Sequence, residues 1–317
     1  MNLNIFLILF VLSALSRTAT CQLVGGVAAK KGEFKYLVYI EVEFELDGTQ
    51  TERYQGGGVI VSPKWVLSAA HNFDSEVRRG KSHPPDAVTI LAGAKNRNAV
   101  GGFTQKKKVE ISAVVRHEKY REAADQYDVA LIFLGKSPFQ MSERVQPANL
   151  ARDGWNAEEF KECIIVGWGS FGLDDGGFNI APDVARKGKA FILPASVCEE
   201  HFEGDFYGNY HICYGCYRGC RGCAMAASGD SGSPVVQIVD GEEVVVGIHQ
   251  ASCGEMAEKC SEDSPGQAAE VGKFRGWMKD EMKKREFWES FKDMALNGGA
   301  VLTASTAIVT FFSYFFG

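Results

Sequence analysis

Three short segments, far apart in the chain, each contain a residue of a type that takes part in nucleophilic catalysis. His71 ends the segment LSAAH, Asp128 lies in YDVALI, and Ser231 lies in GDSGSP. A serine hydroxyl is a weak nucleophile at neutral pH, and a histidine oriented by a carboxylate can take its proton. Any one of these residues alone is more simply explained as structural, but the joint pattern predicts covalent acyl-transfer chemistry.

The order of these residues and the sequence around each of them resemble the chymotrypsin/trypsin family of serine proteases. The resemblance extends from LVGG at residue 23, through GWGSFG at 167–172, to about residue 288. It implies that His71 is the general base, that Asp128 orients it, and that Ser231 attacks the peptide carbonyl. It also implies an oxyanion hole made by the backbone N–H groups of Gly229 and Ser231.

The N-terminus that this family generates on activation is expected at Leu23. In the family, cleavage after Arg or Lys frees an α-amino group that pairs with the aspartate before the catalytic serine, here Asp230. Gln22 precedes Leu23 in this chain, and the nearest basic residue, Arg17, would leave a terminus several residues too long. Three alternatives therefore stay open: a different protease cuts after Gln22, signal cleavage leaves a terminus nearby, or the ammonium–Asp230 pair never forms.

Short β-branched and alternating segments predict an all-β fold. Turn residues separate such runs at 37–42, 88–91, 109–115, 129–133, 164–166, 235–239 and 244–248, as is typical of barrel proteins. The resemblance implies a protease domain over 23–288 with two packed Greek-key six-stranded β-barrels, the first at about 23–145 and the second at about 146–272. Helical spacing of aromatic residues predicts a C-terminal helix at about 271–294.

The length and composition suit one large β domain or two packed barrels. Of 317 residues, 45% are hydrophobic, 35 are glycine and only 9 are proline, which is enough apolar material for a sizeable core. The formal net charge of -6 argues against nucleic acid as a partner. The apolar stretch 1–15 predicts a secretory signal peptide over 1–21, and it is short for the alternative, a transmembrane anchor.

The stretch 300–317 is uncharged and strongly apolar toward its end. It is typical of the removable signal for a glycolipid anchor, because small residues precede it and no basic flank follows it. We expect Asn297, the first residue of Asn-Gly-Gly, to be the attachment site, within a juxtamembrane linker at 289–299. A retained membrane helix and a buried core segment are the alternatives.

Nine cysteines are present, and removal of Cys21 with a signal peptide would leave eight, an even number suited to four disulfides. The cluster formed by Cys213, Cys216, Cys220 and Cys223 also has a spacing that a metal site could use. Since the predicted chain is secreted and lacks a nearby histidine pair, disulfides are favoured there. We therefore predict no metal site and no cofactor.

The family resemblance assigns one cysteine pair and removes another. It implies a disulfide between Cys198 and Cys213, which closes a loop in the second barrel. The family also bridges the residue after the catalytic histidine to one just before a Gly-Gly pair, but this chain has Asn72 and Gln55 at those positions. Because both cysteines are replaced together, the change indicates a real variant and not a damaged gene.

The primary substrate pocket departs from that of trypsin. By resemblance, its base lies six residues before Ser231, where trypsin-like members carry Asp and this chain has Met225. A Lys or Arg side chain of the substrate would find no counter-charge there. Gln250, Ser252 and Gly266 are expected to form the pocket walls. A thioether base and a hydroxyl on the wall predict a shallow apolar pocket, which excludes trypsin specificity.

These features predict a serine endopeptidase that is made as a zymogen, is secreted, and is held at the extracellular face of the plasma membrane by its C-terminal tail. Its substrates would be proteins or peptides cut after apolar residues, and protease inhibitors are candidate partners. The alternative is a catalytically impaired homologue that binds or regulates other proteins; a structural adhesion protein is more distant. The complete triad and Gly229 favour the enzyme, because a binding protein has no physical need for all of them.

Overall fold

The computed structural model describes residues 26–45, 51–74, 85–94, 96–98, 101–120, 126–170, 180–217, 223–252 and 264–297. Within these ranges the chain forms two antiparallel sheets of seven strands each and a long C-terminal helix. Buried apolar side chains from both sheets and from the first half of the helix form one continuous core.

The strands follow one another with short connections in much of the described chain. In order they are β1 Val27–Ala28, β2 Leu37–Glu45, β3 Thr51–Ser62, β4 Trp65–Ser68, β5 Ala87–Ala92, β6 Gln105–Val109, β7 Val114–Arg116, β8 Ala130–Phe133, β9 Glu162–Gly167, β10 Arg186–Leu193, β11 His211–Gly215, β12 Pro234–Val239, β13 Glu242–Ala251 and β14 Gly266–Glu270. β-branched and aromatic residues are frequent in the central strands, as expected for segments that are buried on at least one face.

The first sheet has the strand order β6-β5-β2-β3-β4-β8-β7. Its two edge strands are close in sequence, because only the short 3-10 helix Ile111–Ala113 separates β6 from β7. β6 pairs with β5 and β7 pairs with β8, so the segment 105–116 leads from one edge of the sheet to the other. In the described part of the chain this sheet is therefore an open half-barrel.

The second sheet has the order β1-β10-β11-β14-β13-β12-β9, and β9 also pairs with β10. That extra pairing closes six of its strands into a barrel, which removes the exposed edges of the sheet. The short strand β1 is added to β10 at one side. The closed barrel provides the strand β13 and the turn before β12 that carry half of the candidate site.

Within the described ranges, two α-helices accompany the sheets, α1 at Ala195–Phe202 and α2 at Val271–Asn297. α2 buries Val271, Phe274 and Met278, which lie on one face at spacings of three and four residues. Among the described residues, no helix combines the length and the apolar character needed to cross a membrane. α2 continues to Asn297, so it extends through most of the segment predicted as a linker.

The predicted all-β fold with two barrel-like sheets and a C-terminal helix is confirmed. One strand differs, because the run predicted at 109–115 is broken by the 3-10 helix between β6 and β7. In the first sheet, this break gives seven strands where six were expected. The sequence pattern missed it because Ile111, Val114 and Val115 remain apolar through the bend.

Candidate active site

Two adjacent strands of the first sheet bring His71 and Asp128 together. β4 ends at Ser68, which pairs with Ala130 at the start of β8, so the chain leaving β4 and the chain entering β8 meet at one edge. His71 follows in the 3-10 helix Ala70–Phe73, and its backbone N–H donates to Asp128 Oδ1 over 2.8 Å. The His71 ring nitrogen Nδ1 lies 2.6 Å from Asp128 Oδ2. The carboxylate thus holds both the backbone and the ring of His71.

This contact selects one tautomer of the imidazole. Asp128 is completely buried, and as an ionised carboxylate it can only accept hydrogen bonds. The proton of the neutral His71 ring is therefore on Nδ1, and Nε2 has the lone pair that can accept a proton. The His71 side chain remains 14% exposed, so a substrate can approach it. The pair has the geometry of an oriented general base.

Gln250, predicted as a pocket wall, lies against the Asp128 segment. It is buried on β13, and its Nε2 donates to the backbone C=O of Asp128 over 3.2 Å. Its Oε1 is also buried and has no hydrogen-bond partner among the described residues. The structure therefore connects Gln250 to the backbone that carries the carboxylate.

Ser231 lies in a tight turn just before β12. Ser233 N–H donates to Asp230 C=O over 2.8 Å, and Gly232 N–H donates to His249 C=O over 2.8 Å. The backbone carbonyl of Ser231 accepts from Gly57 N–H over 2.8 Å, a contact that crosses from the second sheet to β3 of the first. The Ser231 side chain is half-buried. The turn is therefore anchored on both sheets and leaves the serine accessible.

A residue next to His71 also holds this turn. Asn72 Nδ2 donates to the Ser231 carbonyl over 2.9 Å. Because Asn72 directly follows His71, the structure brings Ser231, His71 and Asp128 to one place between the two sheets. Asn72 was noted in the sequence only as a missing cysteine, and no local pattern indicated that its amide would contact the serine turn.

Gly229, the predicted oxyanion donor, has a backbone conformation that favours glycine, with φ of +92°. A Cβ at this position would also lie 2.3 Å from Gln55 Nε2. No hydrogen bond within the described part of the chain uses the N–H of Gly229 or of Ser231. These two donors are therefore available to a bound oxygen atom.

The Asp230 carboxylate is bound by backbone N–H groups from just after β9 and from the segment before the serine turn. It is buried, and it accepts from Gly169 N–H over 2.7 Å and from Ala227 N–H over 3.0 Å. Burial raises the pKa of Asp230 to about 6, and these backbone donors act in the opposite direction. A Cβ at Gly169 would lie 2.2 Å from Asp230 Oδ2, so glycine is what leaves space for the carboxylate. Leu23, its predicted partner, lies outside the described residues.

Around the predicted pocket, the space beside Gly266 is filled by an aromatic ring. Gly266 pairs with Tyr214 across β14 and β11, and a Cβ on Gly266 would lie 2.7 Å from Tyr214 Cζ. Met225 is 6% exposed in the segment before the serine turn, and Ser252 is half-buried at the end of β13. Sequence reasoning missed Tyr214, because only the strand register places it opposite a glycine.

His249 completes this buried region. Its Nδ1 lies 2.6 Å from the Tyr214 hydroxyl. Burial, together with the nearby His71, lowers the pKa of His249 to about 3, while a hydrogen bond to the Gln267 backbone acts in the opposite direction. His249 is therefore neutral at physiological pH. Its burial, at 4% exposed, agrees with a structural role.

The cysteines were predicted to form disulfides, and one bond is present in the described chain. Cys198 and Cys213 are joined, as the family resemblance implied. This bond removes Cys213 from the alternative metal cluster. Burial raises the pKa of the Cys163 thiol, so the thiolate is disfavoured. Within the described ranges, no group of three or more His, Cys, Asp and Glu side chains could hold a metal ion.

Several predicted features fall on parts of the chain outside the described residues. They are the signal peptide at 1–21, Leu23, the cysteines at 21, 220, 253 and 260, and the apolar stretch 300–317. Asn297, the predicted lipid attachment site, is the last residue of α2. The predictions for these segments stay predictions.

Comparison with known proteins gives the family. The family model for trypsin matches residues 23–278. Tissue-type plasminogen activator of Mus musculus is 28% identical over 241 residues, which are 74% of this chain and 40% of that protein. Atrial natriuretic peptide-converting enzyme of Mus musculus is 27% identical over 269 residues, 84% of this chain and 22% of that protein. The chain thus spans less than half the length of these curated relatives.

Solved structures agree with the sequence match. The structure of GrC superposes with a TM-score of 0.64 at 25% identity, covering 82% of this chain and 99% of that chain. The resemblance stated from the sequence motifs is confirmed by both comparisons. Since the family match covers most of the sequence and the fold agrees with it, this chain belongs to the trypsin family.

Proposed function

We propose that this protein is a serine endopeptidase in which His71, Asp128 and Ser231 are the catalytic residues. The observation that carries the proposal is the His71–Asp128 pair, with Nδ1 and Oδ2 2.6 Å apart, beside the serine turn that Asn72 holds. An endopeptidase is also in agreement with the family to which the chain belongs.

In the proposed reaction, Ser231 Oγ attacks the carbonyl carbon of a peptide bond while its proton passes to His71 Nε2. The buried Asp128 carboxylate stabilises the resulting imidazolium. Collapse of the tetrahedral intermediate expels the amine, which takes the proton from His71 and leaves an acyl group on Ser231. Water then attacks this ester and gives a proton to His71, which passes it to Ser231 Oγ as the acid is released.

The negative oxygen of the tetrahedral intermediate needs donors that are already oriented. The backbone N–H groups of Gly229 and Ser231 are proposed for this role because neither is used by another described residue. At Gly229, a side chain would be strained by the positive φ and would collide with Gln55. The requirement for glycine thus supports a function for the backbone at this position.

Labelling with a fluorophosphonate, which reacts with activated serines, tests this proposal. We expect the mature protein to be labelled and Ser231→Ala to lose labelling while its folded state is retained, because Ser231 is half-buried in a turn. Adding His71→Ala to Ser231→Ala should lower the rate of peptide-ester hydrolysis little further, because triad residues act as a unit. A folded wild type that is not labelled would instead favour the alternative, an impaired homologue that binds or regulates other proteins.

For the substrate, we propose protein or peptide chains cut after an apolar residue. Met225 supplies no counter-charge for a basic side chain, and the Tyr214 ring beside Gly266 reduces the space available to a long one. In a peptide library, cleavage after Leu, Met or Phe should exceed cleavage after Arg. Among apolar residues, a methylene changes the rate by no more than about 10- to 200-fold, so cleavage after several different apolar residues should be detectable. Faster cleavage after Arg would contradict this pocket.

For its biosynthesis and location, we propose a secreted zymogen, held outside the cell by a lipid on Asn297 or a neighbouring small residue. The apolar stretch 1–15, the cysteine content and the uncharged stretch 300–317 support this. Activation would expose the α-amino group of Leu23 to the buried Asp230. N-terminal sequencing of the active form should then begin at Leu23, and a different terminus on the labelled protein would reject this pairing.

A further inference from the structure

The peptide group that follows the proposed nucleophile is held at both of its polar atoms. The Ser231 carbonyl accepts from Gly57 N–H over 2.8 Å and from Asn72 Nδ2 over 2.9 Å. The N–H of the same peptide group, on Gly232, donates to His249 C=O over 2.8 Å. Because a peptide group is planar, these three contacts together determine its orientation and so constrain the backbone that carries the Ser231 side chain.

Asn72 is the only side chain that supplies one of these three contacts. It is 2% exposed and directly follows His71 in the 3-10 helix. Its Nδ2 also donates to Ser68 Oγ over 3.2 Å, and Ser68 Oγ donates to the Gly57 carbonyl over 2.8 Å. Both protons of the amide are therefore used. The Asn72 side chain thus joins the 3-10 helix that carries His71 to the turn that carries Ser231.

A second amide lies behind the proposed oxyanion donor. Gln55 Nε2 donates to the Trp168 carbonyl over 3.2 Å, and Gln55 Oε1 accepts from Arg97 Nη1 over 2.8 Å. With its amide held at both ends, Gln55 packs so closely against Gly229 that a Cβ there would lie 2.3 Å from Nε2. Gln55 and Asn72 thus contact opposite ends of the turn 229–231.

We propose that Asn72 is a positioning residue for Ser231, and that Gln55 supports the same turn from the side of Gly229. The two amides occupy the positions at which the family resemblance implied a disulfide, and they supply polar contacts in its place. This inference rests on the proposed function, because positioning has a consequence only if Ser231 reacts. It assigns no contact with substrate to either amide.

The test compares Asn72→Asp and Asn72→Ala with the wild type. Asn72→Asp keeps the shape but replaces the donor with an oxygen that repels the Ser231 carbonyl, and Asn72→Ala removes the donor only. We expect the rate constant of fluorophosphonate labelling to fall by about 10- to 100-fold in Asn72→Asp, since misplacement of a reacting group by about 1 Å has such an effect. For a cleaved peptide ester, kcat should fall while KM is retained.

A matched control separates positioning from loss of stability. Val88 is completely buried in β5, away from the serine turn, so Val88→Ala should lower the thermal midpoint without changing the labelling rate. Hydrogen exchange of the backbone at 229–233 should become faster in both Asn72 variants and remain unchanged in Val88→Ala.

The outcomes are distinguishable from failure of the proposed function. If the wild type is labelled, and a folded Asn72→Ala or Asn72→Asp is labelled equally fast, the positioning role is wrong. If the wild type is not labelled, the proposed function fails, and with it the catalytic consequence of positioning by Asn72. Unchanged hydrogen exchange in both variants would by itself show that Asn72 does not hold the serine turn.

Discussion

The buried ionisable residues near the serine turn are stabilised in different ways. Asp128 receives two hydrogen bonds from His71, so its buried carboxylate has direct donors. Among the described residues, Asp230 receives hydrogen bonds only from backbone N–H groups, and burial raises its pKa to about 6. His249 remains neutral because burial disfavours its charged form. For Asp230 and His249, burial is therefore the larger influence on the pKa, and the backbone hydrogen bonds of each residue act against it.

His249 gives a pH-dependent contribution to stability. Its pKa is about 3 in the folded protein and 6.5 in a model peptide, so between about pH 6.5 and pH 3 mainly the unfolded state takes up the proton. The free energy of unfolding should therefore fall as the pH decreases, by about 2 kcal/mol from this group at pH 5. In His249→Gln, this part of the pH dependence should be absent in urea unfolding at pH 7, 6 and 5.

Two comparisons make this measurement specific. Asp230 acts in the opposite direction over part of this range, because its raised pKa favours the folded state as the pH falls through about 6. That contribution is common to the wild type and the variant and cancels in their difference. His201→Gln, at an exposed position on α1, is the matched control. Equal pH slopes for the wild type and His249→Gln would contradict the expectation.

Among the elements, helix α2 connects the two sheets. Its first turns bury Phe274 and Met278 in the common core. Farther along, the carboxylate of Glu286 accepts a hydrogen bond over 3.0 Å from Nε1 of Trp65, a completely buried residue of β4 in the first sheet. Because β4 leads directly to His71, the packing of α2 supports the strand that positions the proposed base.

The hydrogen bond to Trp65 can be tested by truncating its acceptor. Glu286→Ala leaves the indole N–H without this acceptor, so we expect the free energy of unfolding to fall by about 1–2 kcal/mol, while Glu286→Gln retains most of it. Urea unfolding measures the difference. Lys283→Ala, at an exposed position of the same helix, is the control. If Glu286→Ala is as stable as Lys283→Ala, the contact contributes no measurable stability.

At the scale of the molecule, the proposed site is assembled from both sheets. His71 and Asp128 come from the first, and Ser231 comes from the second. Besides the contacts of the serine turn, Tyr127 and Tyr210 join the sheets through a hydrogen bond of 2.9 Å between their hydroxyl groups. Activity should therefore require the two sheets to be docked, because neither sheet carries the whole triad.

The proposed lipid anchor is a property of the whole protein. If residues after Asn297 are replaced by a glycolipid, a phosphatidylinositol-specific phospholipase should release the labelled protease from intact cells. The uncharged character of 300–317 motivates this expectation. Retention on the membrane after treatment, together with detection of a peptide from 300–317 by mass spectrometry, would instead favour the retained helix.

The sequence by itself determined the residue types of the site and the class of fold. The candidate triad of His71, Asp128 and Ser231 could be proposed from the sequence because each residue lies in a short motif with local requirements, such as the glycine conformation at position 229. Most strands could also be predicted, since apolar periodicity is a local property. The strand break at 111–113 could not, because apolar residues continue through it.

Only the tertiary structure decided which side chains support the site. Asn72 contacts Ser231 across 159 residues of sequence, and Trp65 contacts Glu286 across 221. The Tyr214 ring lies beside Gly266 only through the register of β11 and β14. Amide, tyrosine and glutamate side chains are compatible with many local environments. Their roles therefore depend on strand pairing and sheet docking, which place distant residues within hydrogen-bonding distance.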